Sequence, residues 1–185
     1  MNILAMPAQR RTTVLPNLSA VWAQTYDGAM GIGDGSAGLP WGKHAAELEH
    51  FYAQVEGTIL VAGSTTMDTL PPRARLGRRF IRLTSQPGKA DIGHLDVQGA
   101  VERMRQDAHE RFTLIGGRRA LIALLPYCSM ATVSHIGVKT TKAMLRAGVV
   151  MAPPVGRDWD YDYVSMENIR QGFYVKTYVR DTNNL

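Results

Sequence analysis

The chain has 185 residues, 45% of them hydrophobic and 20% charged, which suits one soluble domain able to bury a real core. No apolar run approaches the ~18–20 residues that span a bilayer, and the single cysteine, Cys128, excludes an intrachain disulfide and fits a reducing cytoplasm. A net charge of +5 and a pI of about 9.6 suit anionic partners. The basic residues are scattered, as in "RARLGRR" and "GGRRA", with no aromatic interleaving or nucleic-acid motif, so a small ligand rich in phosphate or carboxylate explains the balance equally well.

The first 18 residues carry two prolines and two arginines with little periodicity. They read as a mobile basic extension ahead of a domain over 19–185, and the charges come in the wrong order for a signal peptide. "SAVWAQTY" reads as a strand, and "DGAMGIGDGSAGLP" is too dense in glycine for regular structure. The helix holding Glu47 follows, closed by Gly57, and then "TILVAG", an apolar run that suits a strand buried on both faces. "STTMDTL" is a brief helix with a Ser or Thr cap, stopped by Pro71 and Pro72. "RRFIRLTS" is a strand, a short "LDV" pairs beyond a turn, and "QGAVERMRQDAHER" is a surface helix. "FTLIGG" and "MATVSHI" are strands on either side of the helix "RRALIALLPY". "YDYVSMEN" and "GFYVKTYVRD" alternate like antiparallel strands. Repeated βα units with a terminal hairpin imply a mainly parallel α/β sheet with one antiparallel edge.

In such sheets ligands lie beyond the carboxyl ends of the strands. Glycines stand there, before a helix, in "VAGSTT" and "LIGGRRA", where backbone N–H groups can approach a phosphate. Neither site is a GxGxxG. On the same side lies "LPWGKHAAELEHFYAQV", in which Leu48, Phe51, Tyr52 and Val55 form a core-facing stripe. Glu47 breaks the pattern, pointing about 40° from Phe51 toward the buried side. The first helical turn and its dipole account for an acid there as well as chemistry does. Five histidines (His44, His50, His94, His109 and His135) have no HExxH or CxxC companion, which argues against a metal site.

From about Val21 to Val179 the chain resembles the dihydrofolate reductase family. "WAQTYDGAMG" looks like that family's first strand and active-site loop in its actinobacterial form. "LPW" followed by Glu47 and Phe51 is similar to its loop end, catalytic carboxylate and folate-stacking aromatic, and the six-residue step from Trp41 to Glu47 is the vertebrate spacing. "VAGSTTMDTLP", "LGRRFIRLTSQ" and "LIGGRRALIALLPYCSMATVSHI" match its cofactor segment, substrate-arginine stretch and Gly-Gly block in the right order. The resemblance implies a three-layer fold with helices on both faces of a mostly parallel sheet and an antiparallel C-terminal strand. It also implies reduction of dihydrofolate by hydride transfer from NADPH. The residues themselves, with no spanning run, nucleic-acid motif, metal-ligand pattern or evident helical monomer–monomer patch, set the expectation of a cytoplasmic monomer without nucleic acid, membrane or metal.

By that resemblance Glu47, Trp41 and Ser134 form the catalytic group, with Ser134 in place of a threonine. Val21, Trp22, Ala23, Leu48, Phe51, Leu70, Arg78 and Ile115 line the substrate, and Arg78 grips its glutamate carboxylate. Ala23, Met30, Gly31, Leu39, Gly63, Ser64, Thr65, Thr66, Leu83, Thr84, Ser85, Ile115, Gly116, Gly117, Arg118, Arg119 and Ala120 receive the cofactor, with a cis peptide between Gly116 and Gly117. The chain departs from the family where Ser64 replaces the arginine that meets the 2′-phosphate, with Arg82 or Arg118 as substitutes. It also lacks the aspartate that anchors the active-site loop near "AGVVMAPP". Two other readings share the fold: a pyrimidine reductase of riboflavin synthesis, which lacks the helix carboxylate, and a non-catalytic folate- or nucleotide-binding protein.

Overall fold

Strands in which every residue is buried form the middle of a sheet covered on both faces, and Ile59–Ala62 and Phe112–Gly116 have that pattern here. The structure is a computed structural model that describes residues 13–33, 38–84, 94–156, 159–162 and 172–180. In chain order it contains β1 (Leu15–Thr25), β2 (Ala29–Ile32), α1 (Ala45–Gln54), β3 (Ile59–Gly63), α2 (Ser64–Thr69), α3 (Pro72–Arg75) and β4 (Phe80–Leu83). It continues through β5 (His94–Leu95), α4 (Val97–Gln106), β6 (Phe112–Gly116), α5 (Arg118–Leu124), a 3-10 turn (Leu125–Tyr127), β7 (Cys128–Ile136) and α6 (Lys142–Ala147). β8 (Val149–Met151), β9 (Trp159–Asp162) and β10 (Phe173–Arg180) complete it.

The described strands form an eight-stranded sheet in the order β5-β4-β3-β6-β1-β7-β10-β9, with β2 and β8 as a separate ribbon. In the eight-stranded sheet β10 runs antiparallel to both its neighbours and the remaining pairs are parallel, while β2 and β8 pair antiparallel. This is the expected mostly parallel sheet with an antiparallel C-terminal strand. Strand alternation divides the core between its faces. Leu18, Ala20 and Trp22 of β1 pack on one face with Val101 and Met104 of α4 and Leu121 and Leu124 of α5. On the other, Leu60 and Ala62 of β3 meet Val55 and Met67, with Phe51 of α1 against them. Full burial of each large apolar side chain contributes about 1.5–3 kcal/mol. No helix among the described residues is long and apolar enough to cross a membrane.

Several expectations are corrected. The extension does not reach residue 18, because Leu15 and Leu18 are buried in β1; residues 1–12 lie outside the described residues. Pro16 has no N–H to give the ladder, and the β1–β7 register shifts between Leu15 and Ser19, which hides the strand's start. The glycine-rich stretch contains β2, made regular by pairing with β8, while residues 34–37 lie outside the described residues. The N-cap of α2 is Gly63 with no side-chain cap, not a Ser or Thr. Of the strand expected at "YDYVSMEN", only Tyr161 and Asp162 are described, at the end of β9.

Candidate active site

Glu47 occupies the first turn of α1, whose N-cap is His44. The His44 Nδ1 accepts the Glu47 backbone N–H at 3.2 Å. The Glu47 side chain is 8% exposed and is the one buried carboxylate among the described residues. Burial pushes it up from 4.5 to about 7, against the downward pull of a hydrogen bond with the Ser134 side chain. Ser134, on β7, is itself buried and lies in register with Ala23 of β1. The acid thus faces the centre of the sheet, where β1 and β7 run side by side.

The apolar residues expected at the substrate fall into two groups. Phe51, Leu70 and Ile115 converge in one cluster with Val55, Leu60, Ala62 and Met67. Leu48 is half-buried beside Glu47 on α1, and Trp41 is half-buried before it. Val21, one residue pair below Ala23 and Ser134 on the same face, is buried. Trp22 is different: its side chain turns to the opposite face, against Val133 and Trp159, so it is core and not cleft. Arg78 closes the far end, donating to the Val55 carbonyl at 3.3 Å and lying 5.8 Å from the centre of the Tyr52 ring. Arg73 lies 4.7 Å from the centre of the same ring and pairs with Glu49 at 2.7 Å. The eight-residue step from Glu47 to Val55 advances about 12 Å along the helix axis, so the acid stands at the start of α1 and the Arg78 contact at its end. Tyr52 is buried as its place in the apolar stripe predicts, and its position beneath two guanidinium groups depends on the α3 region, which has no local signal in the sequence.

The second half of the cleft is made of backbone. β3 and β6 are neighbours, so the starts of α2 and α5 lie side by side at the carboxyl edge. A Cβ on Gly117 would lie 3.1 Å from Thr66 Oγ1, and one on Gly63 would lie 3.9 Å from the Gly117 nitrogen. Neither helix has a side-chain cap, which leaves first-turn N–H groups without an internal partner. The Gly116–Gly117 peptide is cis, as expected. Met30 reaches the same place, its Cε 3.7 Å from a Cβ built on Gly116, and Gly31 beside it is buried. Ser64 and Thr65 are exposed on α2, Leu39 is 48% exposed, and Thr84 is half-buried after β4. Leu83 and Ala120 turn into the main core and can offer only backbone. Ser85 lies outside the described residues.

The cations proposed as substitutes at Ser64 have other partners. Arg82 pairs with Asp68 at 2.6 Å, and Arg118 donates to the Met151 carbonyl at 2.8 Å, tying α5 to β8. Arg119 is exposed with no ion pair among the described residues. The loop before α1 has an anchor that the sequence reading missed. Thr25 Oγ1 donates to Asp27 Oδ1 at 2.6 Å, the Thr140 N–H donates to Asp27 Oδ2 at 3.1 Å, and the Thr140 hydroxyl bonds the same carboxylate. The Thr140 and Thr25 bonds hold Asp27 down at about 2. Among the described residues no group of three or more His, Cys, Asp or Glu side chains is placed to hold a metal ion.

Fold and cleft together define an α/β enzyme that holds its acid over the carboxyl edge of a parallel sheet. The family model for dihydrofolate reductase matches residues 17–170. Dihydrofolate reductases from two strains of Mycobacterium tuberculosis are each 26% identical over 160 residues, covering 85% of this chain and 93% of the relative. A solved structure of dihydrofolate reductase from Enterococcus faecalis, complexed with NADP(H) and RAB-propyl, superposes with a TM-score of 0.66 at 23% identity. It covers 91% of this chain and 98% of its own. The chain belongs to the dihydrofolate reductase family.

Proposed function

We propose that this chain reduces 7,8-dihydrofolate to 5,6,7,8-tetrahydrofolate with NADPH, in support of one-carbon metabolism and thymidylate synthesis, and that Glu47 promotes protonation of the pterin. The reading rests above all on Glu47 itself, a carboxyl buried in an apolar cleft and raised to about 7. Near neutral pH a large share of such groups still carries a proton, as a ring nitrogen beside a reducible carbon requires.

The residues fit the cofactor. Gly117 leaves space that a Cβ would take from Thr66, and the uncapped starts of α2 and α5 offer N–H donors of the kind phosphates accept. NADPH, when bound there, supplies the hydride. Glu47 hydrogen-bonds the pterin amino and ring N–H groups and keeps a proton near the nitrogen that must gain it. Ser134 holds the carboxyl toward the ring. Leu48, Phe51, Leu70 and Ile115 exclude water, which keeps the carboxyl protonated, and Arg78 takes the tail carboxylate through its planar fork. The protein is proposed to act as a monomer in the cytoplasm.

Loss of the NADPH absorbance on adding dihydrofolate tests the assignment. The wild type is expected to consume both, with turnover falling as pH rises through about 7, because the protonated carboxyl is the competent form. Glu47→Gln should lower turnover by about 100-fold or more while retaining NADPH binding. Undiminished turnover in that variant removes the acid from the mechanism.

A further inference from the structure

Histidine is an unusual N-cap; Ser, Thr, Asp and Asn are the usual ones. His44 takes that position on α1 with extended backbone, φ −132° and ψ 94°, and its Nδ1 accepts the N–H of Glu47. In a capping box the acid three residues into the helix bonds back to the cap residue's N–H. Here the Glu47 carboxyl is turned to Ser134 instead. The remaining half of that reciprocal pair therefore fixes the backbone of the very residue whose side chain enters the cleft. The ring is itself held. It meets Phe173 of β10 edge-on at 5.4 Å and 84°, and a Cβ on Gly172 would lie 3.5 Å from its Nε2. Phe173 is 2% exposed and gives the ring a firm support.

An imidazole that accepts at Nδ1 is neutral, with its proton on Nε2. A proton on Nδ1 turns the acceptor into a donor and places a cation at a helix N-terminus, which the macrodipole disfavours. On α1 the titratable neighbours are Glu47 and His50, the latter tilted against the same Phe173 ring at 5.9 Å. Glu49 is taken by Arg73, and Lys43 is exposed in the chain before the cap. From β10 the ring meets Phe173 and Gly172, whereas Lys176 is in register with Val133 and lies on the opposite face of the sheet. β7 contributes the uncharged Ser134.

We infer that His44 is the positioning residue for Glu47: its neutral ring fixes the first turn of α1 and so the depth of the carboxyl, and its protonation releases that turn. The inference rests on the reading of Glu47 as the acid, yet the link between the two residues can be measured without catalysis.

The experiment compares the full-length wild type, His44→Ala and His44→Asn by hydrogen exchange of the Glu47 amide and by the pH profile of kcat. In His44→Ala the protection of that amide should fall about fivefold, the scale of a lost side-chain cap, and His44→Asn should restore it. Acidification should strip the protection from the wild type but not from His44→Asn. In turnover, His44→Ala should lower kcat about fivefold with KM for dihydrofolate unchanged. Its alkaline decline should move to lower pH, because a looser carboxyl is better hydrated, and Asn should bring it back. A Glu47 amide equally protected in all three proteins overturns the link, as does equal loss in Ala and Asn, which would assign the effect to packing on Phe173. If His44→Ala does not fold, the acid dependence of wild type against His44→Asn decides alone. Amide behaviour as expected in a wild type that does not reduce dihydrofolate keeps the link and removes the proposed function. Reduction abolished by Glu47→Gln but indifferent to His44→Ala does the reverse.

Discussion

Arg78 and Glu47 divide the proposed substrate between the two ends of α1. The guanidinium is half-buried and bonded to the Val55 carbonyl, so it is already oriented before any carboxylate arrives. A charge-assisted bond is worth about 1.5–3 kcal/mol, and Arg78→Leu should therefore raise KM for dihydrofolate by about 10–100-fold. It should leave a pterin lacking the glutamate arm unaffected, and initial rates on the two substrates check this. Equal losses would place Arg78 away from the tail. The legibility of single residues follows their chemistry. Glu47 was visible because a charge inside an apolar stripe needs a reason. Trp22 was misplaced because a parallel strand covered on both faces has no polar alternation to show which way a side chain points. His44 gave no signal, since an imidazole cap looks like any other histidine until the helix start is known.

At the scale of elements, the starts of α2 and α5 differ from the helices around them. Asp96 caps α4 through the Gly99 N–H at 2.7 Å, and Thr141 caps α6 through the Met144 N–H at 3.2 Å, whereas the two helices at the carboxyl edge have no such cap. The first position of α2 is the exposed Ser64, and the nearby cations Arg82 and Arg118 are engaged by Asp68 and by Met151. Ser64→Arg should therefore add a cation at the start of α2 and tighten NADPH by about 10–100-fold. NADH, without the 2′-phosphate, should bind as before. Fluorescence titration of both nucleotides decides, and an equal effect on both would place the phosphate elsewhere. The strands and longer helices were readable because apolar runs and 3.6-residue stripes are local. β2 was not, because its regularity comes from β8, more than a hundred residues away. The sequence lacks an anchoring aspartate near β8, and the structure supplies Asp27 at the other end of the loop instead, bonded to Thr140.

For the whole molecule, the buried acid has a consequence for stability that opposes its use. Between pH 4.5 and about 7 the folded chain keeps a Glu47 proton that the unfolded chain has lost, so stability falls as pH rises. The rise in pKa corresponds to about 3 kcal/mol at full ionisation. His135 has the opposite sign. Its ring is buried, stacked on Tyr174 at 4.7 Å and 1°; burial first and Lys176 second hold it down at about 4. Between that value and 6.5 the unfolded chain takes up a proton that the folded one refuses, and stability rises with pH. The two slopes oppose each other between pH 4.5 and 6.5, so the wild type should show a muted dependence there. Denaturant unfolding across that range should reveal each slope in the variant that lacks the other group. Glu47→Gln should lose stability toward acid and exceed the wild type by about 3 kcal/mol above pH 7. His135→Phe, which keeps a ring against Tyr174, should instead lose stability toward neutral pH. If Glu47→Gln gains nothing above pH 7, ionised Glu47 is well solvated in the folded chain and its carboxyl has no reason to be protonated at neutral pH. A variant more stable than the wild type yet inactive would show that the fold keeps this acid for chemistry, at the expense of stability.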